Sequence, residues 1–105
     1  MSDDATLGGY LRTHGRAAAF TGSDGKAYTV DVYVDDTPDA EGRYGAALLF
    51  VRWSPAGDSA VGHVESGYLS WGTDPAQARE RIRNLSLFDV KSALDQAIAE
   101  APGEW

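Results

Sequence analysis

Cysteine is missing from this chain altogether. Its absence excludes disulfides, thiol nucleophiles and thiolate metal ligands together, and it suits a reducing compartment. Basic residues are scarce: nine Lys and Arg stand against sixteen Asp and Glu, for a formal net charge of −7. A phosphate backbone is bound by clustered cations that displace its counterions, so nucleic acid is not an expected partner and a basic protein surface suits the charge better. No apolar run is long enough to span a bilayer, and the opening MSDDATLGG is acidic where a secretory leader is basic. The expectation is a cytoplasmic protein without a membrane partner. Lys26 and Lys91 are the only lysines, and the wealth of Ala, Gly, Asp and Arg resembles coding in a high-GC bacterium.

Catalytic and cofactor motifs are absent too. No Gly-x-Ser-x-Gly occurs, and the Asp-x-Asp-x-Asp-Gly rhythm of a calcium loop is not found in Asp35, Asp36, Asp39 and Glu41. Gly22-Ser23-Asp24-Gly25 lies between two strand-like segments and not ahead of a helix, which argues against a phosphate cradle. No cofactor and no metal is expected.

What the chain does have is one apolar stretch, Tyr44 to Ser54 (YGAALLFVRWS), bounded by Gly42 and by Pro55-Ala56-Gly57. A run of this length between turn signals reads as a central strand buried on both faces. At 105 residues the chain is read as a single domain, residues 1–105, with room for one core.

The rest is arranged around that strand. Ser2, Asp3 or Asp4 is the expected cap of a short N-terminal helix carrying Leu7, Tyr10 and Leu11, with Gly15 at its end. Gly8 and Gly9 weaken it by about 1 kcal/mol each. Residues 16–22 read as a first strand and 26–36 as its return, with Asp24-Gly25 suggesting a primed hairpin turn. The return strand alternates, with Tyr28, Val30, Val32 and Val34 on one side and Thr29, Asp31, Tyr33 and Asp35 on the other. Residues 60–71 read as a fourth strand broken at Gly67; a bulge there would turn Leu69 and Trp71 toward the core, away from the side of Val61, His63 and Glu65. Thr73-Asp74-Pro75 starts one helix. Ser86 with Asp89 starts a second, whose apolar stripe is Leu87, Val90, Leu94, Ala97, Ile98 and Ala101, ended by Pro102-Gly103 ahead of a tail carrying Trp105. Strands in a run followed by helices in a run predict an α+β two-layer domain: a four-stranded antiparallel sheet, two C-terminal helices on one face and a short N-terminal helix.

This architecture leaves an imbalance. Two closing helices shelter one face of the sheet, yet the central strand offers Tyr44, Ala46, Leu48 and Phe50 on one side and Gly45, Ala47, Leu49, Val51 and Trp53 on the other. The uncovered set would make an apolar patch, with Tyr33 on its acidic rim, of the kind that marks an interaction surface. Its cover is the N-terminal helix, a second copy of the chain in a homodimer, or a protein partner. Tyr33, Leu49, Val51 and Trp53 are the candidate interaction residues.

The leading functional expectation is therefore a small acidic protein-interaction module of the adaptor, chaperone or immunity kind, self-associating through a sheet face. Its alternatives are a small hydrolase or lyase and a small-molecule sensor. For an enzyme, His63 and Glu65 share a strand face and could pair a general base with an orienting carboxylate, with Asp31 as a third candidate. An ordinary polar strand face explains the same residues. Arg79, Arg81 and Arg83 could bind an anion, and an exposed helix face accounts for them equally.

Overall fold

The computed structural model describes residues 5–101, in the order α1 (Leu7–His14), β1 (Ala19–Thr21), β2 (Ala27–Val34), β3 (Tyr44–Trp53), β4 (Ala60–Glu65), β5 (Ser70–Gly72), α2 (Pro75–Arg83) and α3 (Leu87–Glu100). The expected caps at Ser2, Asp3 or Asp4, the helix stop at Pro102-Gly103 and the Trp105 tail lie outside the described residues. The apolar run becomes β3, which has neighbours on both edges. It pairs antiparallel with β2 on one side, and with β4 and then β5 on the other, while β1 extends the sheet beyond β2.

Alternation along β3 divides its side chains between the two faces. On the inner face Ala46, Leu48 and Phe50 are fully buried. They join Tyr28 and Val30 of β2, Val64 of β4, Ala78 and Ile82 of α2, and Val90, Leu94 and Ala97 of α3 in one core. Leu87, Ile98 and Ala101 pack at its margin, completing the stripe read from the sequence. Both C-terminal helices start as their sequences suggest. The Asp74 side chain accepts from the Gln77 N–H with Pro75 in the first turn, and the Ser86 hydroxyl accepts from the Asp89 N–H at 3.0 Å.

The N-terminal helix joins this same layer. Leu7 belongs to the core, and its N–H donates to the Leu85 carbonyl at 2.9 Å. Thr6 bridges to Ser86, and Gly8 lies so near α2 that a Cβ there would stand 3.1 Å from the Cβ of Arg83. Thr6, accepting from the Gly9 N–H at 3.0 Å, is the cap. Gly8, one of the two glycines that weaken α1 as an isolated helix, is what lets its backbone close on α2. So α1 does not cover the opposite face of the sheet, and that candidate cover is ruled out.

Two local expectations are corrected. In the β1–β2 hairpin only Gly25 has positive φ (78°), so a primed turn at Asp24-Gly25 is not formed. The Gly25 N–H donates to the Gly22 carbonyl and the Gly22 N–H to that of Lys26, which is a three-residue loop with its last residue left-handed. Asp24 favours this form because its carboxylate accepts from the Lys26 N–H and from the Tyr28 hydroxyl, at 3.0 and 2.7 Å. Burial, with help from that carboxylate, pushes the Tyr28 phenol up to about 12.

The second correction concerns residues 60–71, which form two short strands. From Leu49 to Ala46 is three steps along β3, whereas their partners Glu65 and Ser70 are five steps apart. The excursion at 66–69 thus adds two residues and not one. A single extra residue would exchange the faces; two preserve them. Trp71 therefore lies on the same side as His63 and Glu65, away from the core, and Leu69 is exposed. Ser66 repairs the ladder: its hydroxyl accepts from the Leu48 N–H at 2.9 Å. Val61 is the extra residue of a smaller bulge, since Arg52 faces Gly62 and Trp53 faces Ala60.

Neighbouring residues on β3 should report the two faces separately. Phe50→Ala is expected to cost about 3–5 kcal/mol through lost burial and a cavity. Val51→Ala, one residue away on the other face, should cost about 1 kcal/mol. Urea denaturation midpoints check this, and equal losses would contradict the one-sided core.

Candidate interaction face

The outer face of the sheet is a grid whose columns are strands. Down the centre run Gly45, Ala47, Leu49, Val51 and Trp53 of β3. On the β2 side Tyr33 stands opposite Ala47, Asp31 opposite Leu49 and Thr29 opposite Val51. On the other side Glu65 faces Leu49, His63 faces Val51 and Trp71 faces Gly45. No described helix lies over this surface. Leu49, Val51 and Trp53 are half-buried by their neighbours alone, and Tyr33, Tyr68 and Trp71 are exposed at 54%, 45% and 37%. The four interaction residues read from the sequence thus share one face. Trp53 is the most fixed of them, its indole N–H donating to the Thr29 hydroxyl at 2.8 Å.

Tyr68 closes one end. The excursion that precedes β5 folds its ring onto Gly45, where a Cβ would lie 2.8 Å from the ring carbons. Its hydroxyl donates to the Asp35 carboxylate at 2.5 Å. That bond holds the Asp35 carboxyl below its ordinary range and pushes the Tyr68 phenol up. Trp71 meets Tyr68 edge-on, with ring centroids 6.4 Å apart, and Arg43 stacks over Trp71 at 5.6 Å. Between Tyr33 and Tyr68 lies an open groove of about 450 Å³, floored by Ala47 and Leu49 and bordered by Glu65 and Gly67.

His63, Glu65 and Asp31 do share this face, but they are spread across it. Asp31 and Glu65 stand on opposite sides of Leu49, two strand spacings or roughly 10 Å apart. The groove beside Glu65 includes neither of the others. Asp31 turns its carboxylate to the Val32 N–H at 2.8 Å. Among the described residues no group of three or more His, Asp or Glu is placed to hold a metal ion. The acidic loop serves its own backbone: Asp39 accepts from the N–H groups of Glu41 and Arg43 and from the Arg43 side chain, which holds its carboxyl low, and Asp35 accepts from the Thr37 N–H. The α2 arginines do not converge either, for Arg81 donates to the Trp71 carbonyl at 2.6 Å while Arg83 packs by Gly8.

Sequence reasoning misses Tyr68 and Trp71 on this face, for it turns Trp71 toward the core and gives Tyr68 no position. The available signal was Gly45. A glycine inside an otherwise apolar strand marks a close approach, here by an aromatic ring. Comparison of the chain with protein-family models, with curated proteins and with solved structures gives no match.

Two variants test the Tyr68 contact. Gly45→Ala should displace the ring and widen the groove, seen as loss of ring-current shifts at residues 45–47 in NMR spectra. Tyr68→Phe should lower the melting temperature at neutral pH, because the depressed Asp35 carboxyl stabilises the fold above the ordinary carboxylate range of about 4. The difference from wild type should vanish as pH falls through and below that range. A difference that is constant with pH would show that the ionisation of Asp35 plays no part in the contact.

Proposed function

We propose that this chain is a non-enzymatic protein-interaction module, of the adaptor, chaperone or immunity kind, which works through the helix-free face of its sheet. The observation that carries the reading is the unbroken row Ala47, Leu49, Val51 and Trp53, joined by exposed Tyr33, Tyr68 and Trp71, on the side opposite all three helices. Contiguous apolar surface with a polar rim is the usual mark of a docking site, and Tyr and Trp are the residue types that anchor one. Strands hold all of these side chains except Tyr68, which Gly45 and Asp35 fix in place, so the surface is organised before a partner arrives.

Another protein is the favoured occupant, because carboxylates flank the row on both sides at Leu49. A second copy, the alternative, is supported by the apolar row itself and by the frequency of two-fold homodimers. In a face-to-face pair those carboxylates would crowd one another, at a cost that salt would relieve.

The double variant Leu49→Thr with Val51→Thr keeps β-branched side chains on the strand and strips its apolar centre. Sedimentation across micromolar to sub-millimolar concentrations reads self-association. A wild-type dimer that the variant abolishes supports the homodimer. For a monomer, a partner isolated from source cells and purified should bind the variant at least about tenfold more weakly than wild type. Equal binding to both overturns the sheet-face reading.

A further inference from the structure

We infer that the groove between Tyr33 and Tyr68 is a subsite for a guanidinium group, the arginine side chain of a basic partner; this rests on the interaction-face reading above. Three observations lead there. The walls are aromatic, since both tyrosines line the groove. The floor at Ala47 is small, so the space between the rings is a slot and not a filled core position, and Leu49 continues it as apolar surface for an aliphatic stem. At its mouth stands the exposed carboxylate of Glu65.

Aromatic faces attract cations through their quadrupoles, and a planar guanidinium can stack on a ring while its edge hydrogen-bonds a carboxylate. An ammonium group lacks that flat geometry. The surrounding charge points the same way. Asp31 and Glu65 border the central row, and Asp35 lies at its Tyr68 end. Among the described residues the chain's other cations are placed elsewhere: Arg12 on α1, Arg16 between α1 and β1, Lys26 in the β1–β2 hairpin loop, Arg52 buried on the inner side of β3, Arg79, Arg81 and Arg83 on α2, and Lys91 on α3. Arg43, at the margin, already pairs with Asp39 and Glu41 at 3.0 Å each and stacks on Trp71. His63 is the one imidazole on the face, and it stands beside Val51, farther from the tyrosines than Glu65. The slot thus offers aromatic walls and a carboxylate to an incoming cation.

The test is an amide NMR titration of the whole chain with the capped tripeptide Ala-Arg-Leu and its citrulline and lysine counterparts. The arginine peptide should shift the amides around Tyr33, Ala47, Leu49, Glu65 and Tyr68 and leave α1 and α3 unmoved. The citrulline peptide, isosteric but neutral, should bind about fivefold more weakly or worse. Glu65→Gln and Tyr33→Ala, both at exposed positions, should each weaken the arginine peptide about two- to fivefold with the rest of the spectrum unchanged. Dispersed shifts, or equal binding of citrulline, overturn the proposal, and lysine binding as well as arginine overturns the guanidinium assignment. The two readings fail separately. A silent peptide titration beside partner binding that the Thr double variant weakens sinks the slot alone. A localised, charge-dependent titration beside partner binding that ignores the double variant sinks the interaction-face reading.

Discussion

The packing of the inner row of β3 against α2 and α3 is the constraint from which the rest follows. Ala46, Leu48 and Phe50 are fully buried because helices lie over them, and helices lie over them because their stripes have nowhere else to bury. A strand that is apolar on both sides calls for cover on both. The described helices supply it on one. The short dimension of 21 Å matches two layers at roughly 10 Å spacing, and α1, which might have formed a third, is held in the helix layer by Leu7 and Gly8. The bare face is therefore a result of how the helices are distributed and not of a local irregularity.

Much of this was legible in the residues. The central strand, the alternation of β2, the caps at Asp74 and Ser86 and the stripe of α3 all rest on short-range patterns that tertiary contacts did not override. The misses have a common origin in how many residues are spent between fixed points. Asp24-Gly25 suggested a two-residue turn, but the Asp24 carboxylate has three-residue geometry to satisfy. Gly67 suggested a one-residue bulge, whereas two residues were added, so Trp71 came out on the opposite side from the one expected. Periodicity gives parity within a strand; it does not count residues in an excursion, because that number is set by where the ladder can resume. The fit of Tyr68 on Gly45 joins that excursion to β3 and could not be read from either segment alone.

The acidic balance also takes on a more differentiated meaning in three dimensions. Several carboxylates work locally: Asp24 organises the hairpin, Asp39 the loop before β3, Asp74 the start of α2, and Asp95 accepts from the Ser23 N–H while pairing with Lys91. Others border the exposed row, where they bias which surfaces can approach. A chain with the same net charge arranged differently would be equally soluble and would lack that bias.

One small contact has a wider consequence. The Val30 N–H reaches the Ala18 carbonyl just ahead of β1, so by alternation the Val32 N–H points outward past the end of that short strand, where no described strand pairs with it, and Asp31 takes it up instead. An open ladder is a template onto which foreign chains zip and fibrils grow. With its donor occupied and a negative charge at the margin, this flank discourages lateral stacking. What the sheet leaves open is its broad side, a surface of side chains and not of backbone amides.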